Sequence, residues 1–267
     1  MLAPNELYKK KFHIPIEKLT VPFWGVLSKK HFQWNKKWQA PFKGMFSYQG
    51  NNLIRYFEYP WAFYAIRLRK GMRVLDFGGG LGGFQFVLSK SGLEVDNVDP
   101  GVGSSPAKRK KGKKLEVDQK SMGRLNKEFN THVNLYNCLI ENANLPSNSY
   151  DVVYSISVME HLTGNELRNA MEHIFRILKP GGHFIMTTDL FPNVHTFTKI
   201  KTNRWGENVS IKKLVDMSRL KIVAGNKKEL YGFSEFNHEH ILENLERYFI
   251  SSDYPALIQT VVLKKDK

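Results

Sequence analysis

The residues best suited to chemistry lie close together between positions 74 and 99. The stretch VLDFGGGLGGFQF, Val74 to Phe86, holds five glycines in six residues, directly after an apolar run that ends on the carboxylate Asp76. Gly78, Gly80 and Gly83 keep the spacing G-x-G-x-x-G, which serves turns that bring backbone close to a nucleotide. Glycine in such a turn permits positive φ and leaves open the space a Cβ would fill. Asp99 is the next carboxylate at a strand end, where it can accept both hydroxyls of a ribose.

Two kinds of ligand use a turn like this. A dinucleotide sets a dianionic pyrophosphate on the helix N-terminus. A carboxylate leading into the turn would repel it at short range. S-adenosylmethionine has no pyrophosphate and carries an ammonium and a sulfonium, both compatible with Asp76. The residues therefore favour the cationic ligand, with NAD as the alternative.

Strands and helices must hold these groups in place. MRVLDF, LEVDNVD, THVNLYNCLI, YDVVYSIS, HFIMTTD, a run near KIVAG and ALIQTVVLKK predict strands. The run from Asn51 to Leu68 predicts a helix that Pro60 kinks or restarts. GGFQFVLSKSG predicts a second helix, stopped at Gly92. TGNELRNAMEHIFRIL predicts another, with Leu167, Met171, Ile174, Phe175 and Leu178 on one face and KPGG as its stop. SIKKLVDMSRL, with Ser210 as N-cap, and NHEHILENLERYF complete the set. PGVGSSPAKRKKGKK reads as a loop. Strands alternating with helices imply an α/β, doubly wound, Rossmann-like fold with a mainly parallel sheet covered on both faces.

The order and spacing of VLDFGGGLGGF, VDNVDPG, ENANLPSNSYDVVYSISVMEHL and LRNAMEHIFRILKPGGHFIMTT resemble the class I S-adenosylmethionine-dependent methyltransferases, and their small-molecule branch in particular. The resemblance is specific from about Met72 to Thr188. It implies a seven-stranded sheet whose last strand, ALIQTVVLKK, closes antiparallel. Gly78 and Gly80 would approach the methionyl part and ribose of the cofactor, and Asp76 would face its ammonium. Asp99 would grip the ribose. Glu141 would stand near the adenine amino group, the Asn142 amide near the ring, and Ser157 beside the methionine moiety.

Methyl transfer rests largely on alignment and exclusion of water. A base is needed only when the acceptor must lose a proton. His161, after the fourth strand, is the first candidate, although Glu160 and His161 equally suit capping of the next helix. His195 is the second. Tyr48, Tyr59, Asp189 and His238 are candidate acceptor contacts. Aromatic faces such as Tyr56 and Trp61 also suit a sulfonium. No metal is expected: the position upstream of the Glu160–His161 pair that would add an acid is Ser157, and His238 and His240 stand at a helix start.

The chain has 267 residues and is 42% hydrophobic, enough for one large domain with an appendage. We expect residues 1–50, rich in aromatics and lysine, to form a cap or lid. We expect 51–267 to form the methyltransferase domain, with substrate-lid insertions around 190–209 and 225–250. No apolar run is long enough to span a membrane, and the first residues lack the apolar core of a signal peptide. The single cysteine, Cys138, fits a reducing cytoplasm. The net charge of +15, with Lys108 to Lys114 contributing six positive charges, hints at an anionic acceptor. RNA or protein as acceptor is the competing reading. It is weakened by the lack of an N-P-P-Y-like segment and of a Pro-Cys nucleophile. A non-catalytic binding module is a further reading. Nothing in the pattern fixes the acceptor atom or an oligomeric state.

Overall fold

The computed structural model describes residues 43–47, 54–101, 116–245, 248 and 256–267. The strands are β1 (Arg73–Phe77), β2 (Glu94–Val98), β3 (Val133–Tyr136), β4 (Tyr150–Ile156), β5 (Leu178–Leu190), β6 (Lys221–Ala224) and β7 (Leu257–Lys264). They form one seven-stranded sheet in the order β3-β2-β1-β4-β5-β7-β6. The first five pair in parallel, and β7 runs antiparallel between β5 and β6. The described helices are α1 (Lys43–Ser47), α2 (Arg55–Tyr64), α3 (Gly83–Lys90), α4 (Gln119–Phe129), α5 (Gly164–Ile177), α6 (Ile211–Ser218) and α7 (His238–Glu243).

Side chains alternate across a strand, so each strand feeds two cores. Val74, Val152, Tyr154 and Ile185 pack with residues of α1, α2, α3 and α4. Leu75, Phe77, Val153, Phe184 and Met186 pack with α5 and α6. Asp76 has the parity of Val74 and thus enters the first face, opposite its register partner Tyr154. Strand order runs outward in both directions from the β1–β4 pair. That reversal opens a crevice at the carboxyl ends of the two strands.

The parallel sheet with its antiparallel closing strand is as the sequence predicts. Two details differ. The polar segment before β3 forms α4, which the hydrophobic pattern does not announce because only Ser121, Met122 and Leu125 are buried. Its ends are well marked: Asp118 accepts from the Ser121 amide at 2.7 Å, and Asn130 ends it in the left-handed region. KPGG follows the end of α5 at Ile177, as a stop signal should, but it is also part of the sheet. It lies in the irregular start of β5, where Gly181 N–H donates to Lys265 O and Lys265 N–H to Gly182 O. The last predicted helix is also shorter, ending at Glu243.

Pro60 lies inside α2 and does not divide it. Helix α5 begins with a reciprocal capping box between Thr163 and Glu166. Capping there does not require Glu160 or His161. Of the expected cap, only α1 is among the described residues, and its Met45 and Phe46 are buried against the main core. Tyr48, Lys108 to Lys114 and residues 1–42 lie outside the described residues.

Candidate active site

The glycine turn between β1 and α3 is built to lie close to something. Gly78 has φ +72°, and a Cβ there would fall 2.7 Å from the Val158 side chain. Gly80 has φ +54°. Its carbonyl accepts from Asn97 Nδ2 at 2.7 Å and from Gln85 Nε2 at 3.1 Å. Gln85 also reaches the Gly82 carbonyl at 3.0 Å, and Asn97 donates to Gln85 Oε1 at 2.8 Å. Both amides are fully buried, so the turn is fixed from beneath. Sequence reasoning misses this pair. Its signal is a polar residue at each of two positions that periodicity assigns to the core.

Asp99 closes the turn from the other side. Its Oδ2 accepts from Gly80 N–H and its Oδ1 from Gly101 N–H, each at 2.8 Å. A carboxylate has about four acceptor sites, so capacity for hydroxyl donors is left. Asp76 fills the space under Gly79, where a Cβ would lie 2.5 Å from its Oδ2. Only 3% of Asp76 is exposed. Burial first, then the charge of Asp99, push its carboxyl up to about 7, while Arg55 pulls it down.

A cavity of about 380 Å³ opens beside this turn. Gly78, Asp99, Glu141, Ser157, Val158 and His161 line it, with Leu139, Ile140 and Val98 supplying apolar walls. The 3-10 turn Met159–His161 explains which side chains enter. Residues i and i+3 superpose in such a turn, and Val158 and His161 both line the cavity. Glu160 leaves by another face and is 7% exposed.

Behind that turn lies an acid-rich cluster. Glu58 of α2 is fully buried. Its Oε1 accepts from Ser157 Oγ at 2.6 Å and Thr187 Oγ1 at 2.5 Å, and its Oε2 is paired with Arg55. Ser157 itself has φ +51°. Its hydroxyl thus turns to Glu58, while the residue still lines the cavity. Glu160 Oε1 accepts from the Asp189 amide at 3.3 Å, and Asp189 is 1% exposed at the end of β5. Burial, then the charge of Asp189, hold the Glu160 carboxyl well above the usual carboxylate range. Glu58 carries no recognisable motif in the sequence.

The remaining candidates are placed elsewhere. Asn142 donates its amide to Leu139 O at 3.0 Å and is not among the residues lining the cavity. Tyr59 is stacked between Phe46 and Phe84 at 5.6 and 5.2 Å, and burial pushes its phenol up to about 12. His195 is exposed in the segment after β5, with Nδ1 3.4 Å from the Tyr231 hydroxyl. His238 starts α7 and meets the Phe197 ring at 6.5 Å. Neither histidine lines the cavity. Among the described residues no three His, Cys, Asp or Glu side chains form a metal-holding group.

A profile of the methyltransferase-domain family matches residues 48–245. Comparison with curated proteins gives no match. Among solved structures, a Pyrococcus horikoshii protein superposes with a TM-score of 0.53 at 15% identity, covering 86% of this chain and 99% of that one. An S-adenosylmethionine-dependent methyltransferase from Mesorhizobium loti gives 0.51 at 16%, covering 78% and 97%. Phosphoethanolamine N-methyltransferase 2 from Haemonchus contortus, in complex with S-adenosyl-L-methionine, gives 0.53 at 15%, covering 100% of this chain. This chain spans 61% of that protein's length, and 50% of the length in a second structure of the Haemonchus enzyme. These likenesses bear on the fold.

Proposed function

This chain belongs to the class I S-adenosylmethionine-dependent methyltransferases, and we propose that it methylates an oxygen or nitrogen of a small molecule. The observation that supports the cofactor most directly is the turn itself. Gly78 and Gly79 leave space that no Cβ could share with the neighbouring Val158 and Asp76 side chains, and a buried carboxylate lies at the base of the turn. That donor set suits a cation and opposes a pyrophosphate. When bound, the cofactor would supply a methyl group already activated by its sulfonium.

The chain's own residues would then bind, orient and exclude water. Asp99 would hold the ribose hydroxyls, and Glu141 the adenine edge, over the apolar floor of Leu139 and Ile140. Asp76 would face the ammonium and give up its proton on binding. Ser157, pinned by Glu58, would border the methionine part. His161, which lines the cavity, would orient an acceptor or take its proton. The acceptor would enter under α2 and the segment 190–209, with 225–250 as a second flank. Cys138 lines the cavity as a free thiol, in keeping with a reducing compartment.

The test is transfer of label from methyl-labelled cofactor into a metabolite extract, RNA and a protein mixture in parallel. We expect label in the small-molecule fraction. Label confined to RNA or protein would favour the reading prompted by the +15 charge.

A further inference from the structure

The cavity takes up one side of the Met159–His161 turn; the acid cluster on the other side has no role in the reading above beyond pinning Ser157. Its members come from elements far apart in sequence: Arg55 and Glu58 from α2, Glu160 from the turn, and Asp189 from β5. Glu160 Oε2 is buried and has no hydrogen-bond partner. Groups facing the Glu160 carboxyl are Asp189 and Glu58, which repel its charge, and Arg55, which favours it. Arg55 is already paired with Glu58. The Tyr154 hydroxyl, beside Asp76 on the β1–β4 pair, is a second buried group with no hydrogen-bond partner. A buried carboxyl left this way costs free energy unless a cation or donor completes it. Arg55 keeps 27% of its side chain exposed, so the cluster reaches the surface beside α2.

We propose that Glu160, with Asp189 beside it, forms the binding site for an ammonium group of the methyl acceptor, so that the acceptor is an amine. The proposal rests on the methyltransferase reading and narrows it. An anionic acceptor, which the overall charge brings to mind, would meet Glu58, Glu160 and Asp189 at this place and be repelled. A neutral alcohol would pair with Glu160 Oε2 but would leave the carboxyl protonated, with no charge interaction gained. An ammonium supplies both charge and donors. Its arrival would drive a proton off Glu160, and for transfer the carboxylate so formed would take one proton back from the ammonium, freeing the nitrogen lone pair that attacks the methyl carbon.

The test uses the full chain saturated with S-adenosylhomocysteine. Primary amines from ethanolamine to benzylamine are added, each beside the alcohol and the carboxylic acid of the same carbon skeleton, and thermal unfolding is followed. We expect shifts of about 3 °C or more to be confined to amines, with proton release seen by calorimetry in two buffers. Glu160→Gln should abolish the shift while its affinity for S-adenosylhomocysteine stays within about twofold of wild type. Asp189→Asn should weaken the shift and serves in its place if the first variant does not fold. Shifts by alcohols or acids, no shift by any amine, or an amine shift that survives Glu160→Gln would overturn the proposal. Loss of S-adenosylhomocysteine binding in Glu160→Gln would also overturn it, by assigning Glu160 to the cofactor. Wild-type protein that binds no S-adenosylhomocysteine at all would remove the methyltransferase reading itself, a distinguishable result.

Discussion

Asp76 is where the chemistry of the ligand and the physics of burial meet. Its folded pKa, about 7, lies above the ordinary carboxyl value because burial and Asp99 disfavour the charge. The sign follows directly. Protons bind the empty folded state more tightly than the unfolded chain, so the fold loses stability as pH rises from about 4 to 7. A cationic ligand needs the ionised form, so its binding strengthens over the upper part of that range. Between pH 6 and pH 8 the affinity for S-adenosylhomocysteine should rise about tenfold through this group. Asp76→Asn should flatten that slope, and it should stabilise the empty protein more at pH 8 than at pH 5. Titration calorimetry and thermal melts at both pH values check the pair of outcomes. Asp76, Gly78, Gly80 and Asp99 can be singled out from the sequence because they fall within one strand-turn-helix-strand unit. Asp189 is legible only as a polar residue after a strand. Glu58 and Glu160 are not, because what gives them meaning is convergence across α2, β4 and β5, which local spacing does not encode.

At the scale of elements, the turn depends on close approach. A Cβ on Gly83 would fall 2.3 Å from the Met45 carbonyl and 2.5 Å from the Phe46 ring, so α1 and α3 meet where only glycine fits. Gly83→Ala should destabilise the fold by about 1–3 kcal/mol through overpacking. Urea unfolding checks this; an unchanged midpoint would mean that α1 does not dock there. The strand pattern is readable because β1 and β4 are short, mainly apolar runs buried on both faces. Helix α4 is hard to read for the opposite reason: its apolar side is narrow and most of its surface faces water. KPGG is legible as the stop of α5, but not as the start of β5, because that pairing depends on Lys265 at the far end of the chain.

For the whole molecule, strand order places the ends of β1 and β4 together, and the two cores divide the work. One face carries α1 to α4 and the carboxylate of Asp76. The other carries α5 and α6 and anchors the turn that bears His161. The cofactor cavity and the acid cluster thus lie on opposite sides of one 3-10 turn. The central claim is that the glycine turn with Asp76 and Asp99 holds S-adenosylmethionine and not a dinucleotide. Calorimetric titration of the full chain with S-adenosylhomocysteine and with NAD, in wild type and Asp99→Ala, tests it most directly. The account predicts one-to-one binding of S-adenosylhomocysteine, no binding of NAD, and a loss of at least about tenfold in affinity for the variant, equivalent to ~1.4 kcal/mol. Preferential binding of NAD, or normal S-adenosylhomocysteine binding by Asp99→Ala, would contradict it.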